Sequence, residues 1–312
     1  MSRRRYAIRD HLQTLDPERD HWEIYRTTAT VEFPWDLTRA LELALYRTYA
    51  VPAIGALLDE TGEFRLRAQK RYDDTALLLA EILDNGYDSE RGRAALARMN
   101  RIHARYDISQ DDYRYVLGTF VFVPVRWLER YGWRPLTGTE RLASFHYYRA
   151  VGARMGIRHI PTDYAAFEAQ FDAYEKEHFT FGEPQRRTAI ATRELLVSWL
   201  PAPARPLAPL VRLGVHALLD EPLRGAFGFP EPPRWLPPVV DGALRARARV
   251  ERLLPPRAQP SSVTRSWFVT SYPDGYRIDE LGPESTKRAP GTTPGTASGA
   301  VSTTVSNGAG AP

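Results

Sequence analysis

The strongest constraint on this chain is a series of apolar stripes with the three-to-four-residue spacing of a helix face, broken by no strand–helix–strand alternation. The stripes predict helices over about 37–50, 67–84, 90–106, 110–130, 139–155, 163–180, 185–199, 207–220 and 240–253. Turn signals at Asn85-Gly86, Gly132, Gly138 and Pro161 separate them. Asp36 is expected to cap the first helix, Leu41, Leu45 and Thr48 to mark its face, and Pro52 to end it. The fold expected is all-α: an N-terminal arm at 1–19, then a single multi-helix globular domain over 20–285. Near its end, SWFVTSYPDGYRI (266–278) predicts either a short C-terminal hairpin or an extended arm tied to the surface. The tail, 286–312, is too polar and Gly/Pro-rich to offset the entropy of ordering and is expected to be disordered.

Two stripes carry polar residues inward. One reads Arg71, Thr75, Leu78, Leu79, Ile82; the other reads Leu96, Met99, His103, Tyr106. A guanidinium turned toward a core without a partner costs several kcal/mol. Either the pair is structural, with Arg71 bound to Asp74 and His103 satisfied by a carbonyl or hydroxyl, or a cation, a hydroxyl and an imidazole surround a bound prosthetic group. Spacing alone does not decide between these.

A second metal chemistry competes. Di-iron carboxylate bundles use Glu-x-x-His pairs from two helices and single glutamates from two more. Glu18 with His21 and Glu175 with His178 have that spacing, although no partner glutamates flank them. There is no HExxH, no Gly-x-Ser-x-Gly elbow and no Gly-rich phosphate loop or dinucleotide fingerprint, and His159 with Asp163 lacks facial-triad spacing. His11, His146, His159 and His216 read as structural or surface residues, with His146 kept as a candidate second contact to a cofactor.

The inward residues resemble those of the family of rubber oxygenases (latex clearing proteins) and the endoplasmic-reticulum-bound oxygenase of mycophenolic acid biosynthesis; the chain looks like a bacterial relative. The resemblance rests on Arg71 with Thr75, His103 within NRIHARYDI (100–108), DDYRYVLGTFVFVPVRWLERYGWR (111–134), Glu140, YRAVGARMGIRHIP (148–161) and YPDGYRIDELGP (272–283). It implies a haem-b-dependent oxygenase acting with O2 on an apolar, isoprenoid or lipid-like small-molecule substrate. His103 would be the axial ligand of the haem iron, with Arg71 and Thr75 close to the haem. Arg71 would neutralise a propionate or polarise bound oxygen, and Thr75 would donate a hydrogen bond on the open face. Tyr115, Phe120 and Phe122 would furnish the substrate pocket. The rubber-cleaving branch carries a lysine three residues after its arginine, where this chain has Asp74, so a lysine-capped iron is not expected. That branch's upstream glutamate base has no clear counterpart at Glu60 or Glu63. A haem or lipid carrier without turnover is the non-enzymatic alternative.

Composition fits that expectation. With no cysteine there is no disulfide, iron–sulfur cluster, thiolate ligand or covalent c-type attachment, so any haem is held non-covalently. A net charge of +4, with acidic and basic residues interleaved, leaves no nucleic-acid footprint. MSRRR is not followed by the apolar run of a signal peptide, and Tyr115–Val125 is too short to span a bilayer. A cytoplasmic location is therefore expected, with Leu195–Phe229 forming a Pro-kinked helix pair or, alternatively, a peripheral membrane contact or substrate-access lip.

Overall fold

A computed structural model describes residues 3–263 and 269–283. Among them are fourteen α-helices and no strand. In chain order they are α1 (Ala7–Leu12), α2 (His21–Thr27), α3 (Pro34–Tyr49), α4 (Pro52–Thr61), α5 (Glu63–Leu66), α6 (Ala68–Asn85), α7 (Glu90–His103) and α8 (Gln110–Tyr131). Then come α9 (Gly138–Arg154), α10 (Tyr164–His178), α11 (Glu183–Ser198), α12 (Ala208–Leu218), α13 (Glu221–Phe227) and α14 (Leu236–Leu253). The 286–312 tail lies outside the described residues.

The centre is α3 packed along α8, with α2 against α9, α6 against α7 and α10 on α8. Their stripes meet in one core containing Phe33, Leu37, Leu77, Ile82, Phe122, Phe145 and Phe171. A second core joins α3 to α11 and α13 through Tyr46, Tyr49, Ala189 and Phe227. Helix starts are fixed by side chains that accept the orphan backbone N–H groups: Ser89 from Gly92, Ser109 from Asp112, Asp163 from Ala166, and a capping box of Thr137 with Glu140. Gly92 lets α7 start directly on the α6–α7 turn, because a Cβ there would overlap the Gly86 carbonyl.

Glu140 has a second task. Its carboxylate and that of Glu32 clamp the buried Arg134, at 2.7 and 2.6 Å, tying α9 to the π-helical turn Thr28–Glu32 that continues α2. That guanidinium is fully paired, as a buried charge must be.

Several local expectations are corrected. Phe33, not Asp36, is the N-cap of α3; Asp36 lies buried in the first turn, accepting hydrogen bonds from Trp127 and Arg247. Pro52 starts α4 rather than merely ending α3, since its missing N–H costs nothing in a first turn. Of the two forms expected for the closing segment, the extended arm is the one found over its described residues, 269–278, and it runs along α6. Leu195–Phe229 holds the end of α11, a 3₁₀ turn at Ala202–Leu207, α12 and α13, with Leu207 and Leu210 exposed. No single helix among the described residues is long and apolar enough to cross a membrane; α3 and α4 would pass together by length and composition, but they are bent by 101°.

Candidate functional site

The inward face of α6 borders a cavity instead of closing into solid core. Arg71, Thr75, Leu79 and Leu83 line a space of about 660 Å³, facing Leu37, Leu41, Glu42 and Leu45 of α3. Ala29 and Thr30 of the π turn, Phe120 of α8, Tyr147, Tyr148 and Val151 of α9, and the strap Arg257–Val263 complete the wall. This volume lies in the range of small-molecule and cofactor sites, which are mostly apolar with a few polar groups. π turns recur at such sites because they widen a helix and re-aim its side chains.

Arg71 differs from Arg134 in its partners. Its Nη1 donates to the Thr75 hydroxyl, which in turn donates to the Arg71 carbonyl at 3.1 Å, and the guanidinium lies 5.3 Å from the Phe64 ring centroid. No carboxylate pairs with it among the described residues. Asp74, the partner that a purely structural reading requires, is bound instead by Lys70 at 2.7 Å and by the Tyr272 hydroxyl. The helix thus delivers an uncompensated positive charge and a hydroxyl to the cavity wall.

His103 closes α7 and is half-buried, its ring edge-on to Tyr113. Burial, reinforced by the charge of Arg71, pushes its pKa down to about 4, so the imidazole is neutral near pH 7. Its Nδ1 is buried without a hydrogen-bond partner among the described residues. A neutral imidazole with one buried, unpartnered nitrogen suits a metal-bound cofactor, and an arginine without a carboxylate near it suits an anionic group on that cofactor. His103 itself is not among the residues lining the cavity.

Glu42 was missed in the sequence. It faces the cavity from α3, accepts a hydrogen bond from Tyr72 at 3.0 Å, and pairs with Arg39 at 2.7 Å. Burial outweighs that pairing and pushes its pKa up to about 7. The available signal was its helical spacing from Thr38 and Leu45, both of which share the wall.

Comparison with known proteins gives the family. Residues 34–252 match the family described as ER-bound oxygenase mpaB/B'/Rubber oxygenase, catalytic domain. The chain belongs to this family. The ER-bound oxygenase mpaB of Penicillium roqueforti (strain FM164) is 35% identical over 158 residues, covering 49% of this chain and 53% of that protein. The mpaB' protein of Penicillium brevicompactum is 29% identical over 260 residues, covering 77% of this chain and 61% of its own. The chain therefore spans less than two thirds of the length of these curated relatives.

The other candidate residues lie elsewhere in this mpaB/rubber oxygenase domain. His146 sits beside His21, with ring centroids 6.4 Å apart, and does not line the cavity. Of the three expected pocket aromatics only Phe120 lines it; Tyr115 stacks on Phe171 and Tyr174, and Phe122 packs among Tyr164, Phe167 and Phe171. The di-iron set does not assemble. Both ring nitrogens of His21 are occupied, by the Glu18 carbonyl and Tyr87; Glu175 is consumed by Arg47; and His178 bonds the Tyr174 carbonyl. Among the described residues no group of three or more His, Cys, Asp or Glu could hold a metal ion.

Proposed function

We propose that this domain is a haem-b-dependent oxygenase that uses O2 to oxidise or cleave an apolar, isoprenoid or lipid-like substrate. The observation that carries the reading is a largely apolar cavity walled by the carboxylate-free Arg71, with the neutral His103 imidazole, its Nδ1 unpartnered, behind that wall and within reach of the Arg71 charge. His103 would hold the iron, and Arg71 would neutralise an anionic group of the haem. Bound there, haem would supply the activation of dioxygen that no side chain here can provide.

The chain's own groups have separable tasks. Thr75 fixes the Arg71 guanidinium and offers its hydroxyl to the cavity. Leu37, Leu41, Leu45 and Leu79 exclude water and hold an apolar chain. Glu42, poised near neutrality, can hold or release a proton at its carboxylate while Tyr72 keeps it oriented. Exposed Leu207, Leu210, Trp235 and Val239 interleave with exposed Arg205 and Arg234, a composition suited to peripheral contact with a membrane that stores such substrates.

The test is oxygen uptake by protein produced with ample haem, challenged with prenylated and fully saturated analogues. Uptake that needs the double bond and yields a carbonyl product supports the proposal. Haem-loaded protein that consumes no oxygen with any apolar alkene would leave a carrier and sink the enzyme.

A further inference from the structure

Aromatic rings lead from the cavity to the surface. Tyr25 and Tyr147 are on the cavity wall and stack with centroids 4.7 Å apart. Tyr147 lies 6.0 Å from Tyr87, whose hydroxyl is 2.6 Å from Nε2 of the half-buried His21. Nδ1 of His21 is 2.5 Å from the Glu18 carbonyl, which can only accept. Nδ1 therefore carries the ring proton, Nε2 presents a lone pair, and Tyr87 is the donor.

We infer that Tyr147, Tyr87 and His21 form a redox exit, carrying a stray oxidising equivalent out of the cavity to a proton-coupled site at the surface. The inference rests on the oxygenase reading for its oxidant, a one-electron oxidant formed from dioxygen or peroxide in the cavity. That oxidant gains one electron from Tyr147, which regains it from Tyr87. As Tyr87 loses the electron its O–H bond breaks, the proton goes to His21 Nε2, and a neutral phenoxyl radical remains beside an imidazolium. A diffusible one-electron reductant such as ascorbate or a thiol restores the phenol, and His21 returns the proton.

The sink is Tyr87 because an oxidised phenol is a strong acid and needs a base. Among the described residues, Tyr25 and Tyr148 hydrogen-bond each other at 2.8 Å, and no histidine or carboxylate bonds to either or to Tyr147. A hole is therefore costly on those rings and settles where a base waits. The Arg154 guanidinium, 4.0 Å from the centroid of Tyr87, disfavours a ring cation there, so electron loss is tied to proton loss. Tyr72 is the competing phenol. Its base, Glu42, faces the same cavity, so a radical there stays beside the substrate.

The test is electron paramagnetic resonance on freeze-quenched samples in two arms: haem-supplemented protein given hydrogen peroxide, and haem-free protein photo-oxidised by ruthenium tris-bipyridine with persulfate. Wild type, Tyr87→Phe, His21→Gln and Tyr72→Phe are compared after their melting curves show a native fold. The expected result is a tyrosyl signal lost in Tyr87→Phe, retained in Tyr72→Phe, and formed slowly and pH-dependently in His21→Gln. An unchanged signal in Tyr87→Phe in either arm overturns the inference, as does a Tyr87 radical that appears with light but never with peroxide in haem-loaded protein. Protein that takes up no haem overturns the oxygenase reading instead, and with it the cavity as source of the oxidant.

Discussion

The two faces of α6 are built on opposite rules. On the outward face the charges are closed by neighbours on α6 and α7 and by the C-terminal arm. Lys70 bonds Asp74 and the Gly282 carbonyl, Asp73 accepts the Thr270 and Ser271 N–H groups, and Glu81 holds Arg91, Asn85 and the Tyr276 hydroxyl. On the inward face Arg71 and Thr75 bond each other and line the cavity, with no carboxylate paired to the guanidinium among the described residues. The outward face is what a helix looks like when its residues are chosen for stability; the inward face leaves local rules unsatisfied, as functional sites do. Asp74 shows the division at one position. It stands where the rubber-cleaving branch is expected to have a lysine, and here it anchors the arm through Lys70 and Tyr272.

The largest stability effect should therefore come from the outward face. Asp74→Ala leaves Lys70 without its buried partner and should lower unfolding free energy by about 3 kcal/mol, read by denaturant titration. Arg71→Met should behave in the opposite way. It removes a half-buried charge that has no carboxylate, so stability should hold or rise by roughly 1 kcal/mol, while oxygen uptake is lost. If Arg71→Met destabilises as much as Asp74→Ala, the contrast between the faces is broken.

Titration sharpens the same contrast. His103 has a folded pKa of about 4, depressed from its ordinary 6.5. Its contribution is therefore present above pH 6.5 and is lost as pH falls toward 4, by up to roughly 3 kcal/mol. Glu42 has the opposite sign. With a folded pKa of about 7 against 4.5, its contribution is present below 4.5 and lost as pH rises through 7. Stability measured against pH should show the acid limb flattened in His103→Gln and the alkaline limb flattened in Glu42→Gln. Since His216 is also held near 4 by burial, a His216→Gln control is needed to isolate the His103 share of the acid limb. The smallest effect belongs to Tyr276→Phe, which removes one hydrogen bond to Glu81 and should cost about 1 kcal/mol by the same titration.

Much of this organisation was legible in the sequence. The long helices were, because each buries one face and so writes its period into the chain; α8 and α9 match their expected limits to within a residue or so. The inward set of Arg71, Thr75 and Leu79 was legible for the same reason. Short helices such as α1, α2, α5 and α13 were not, since a turn or two offers too few positions to define a stripe. Sequence leaves the closing segment open between hairpin and arm, because Pro273-Asp274-Gly275 signals a turn in either case; what decides is the row of acids on α6 that its backbone and tyrosines meet, a contact nearly 200 positions away in the chain. Glu42 hid because glutamate on a helix normally signals solvent, and only the tertiary fold turns that position toward a cavity.

The central claim is that His103 is an iron ligand and not a satisfied core histidine. The most direct measurement is the visible spectrum, with haem and iron quantified, of wild type and His103→Ala produced side by side with ample haem. The account predicts a Soret band at about one haem per chain in wild type that is lost or shifted in the variant. Colourless wild-type protein, or a Soret band unchanged by His103→Ala, would contradict it.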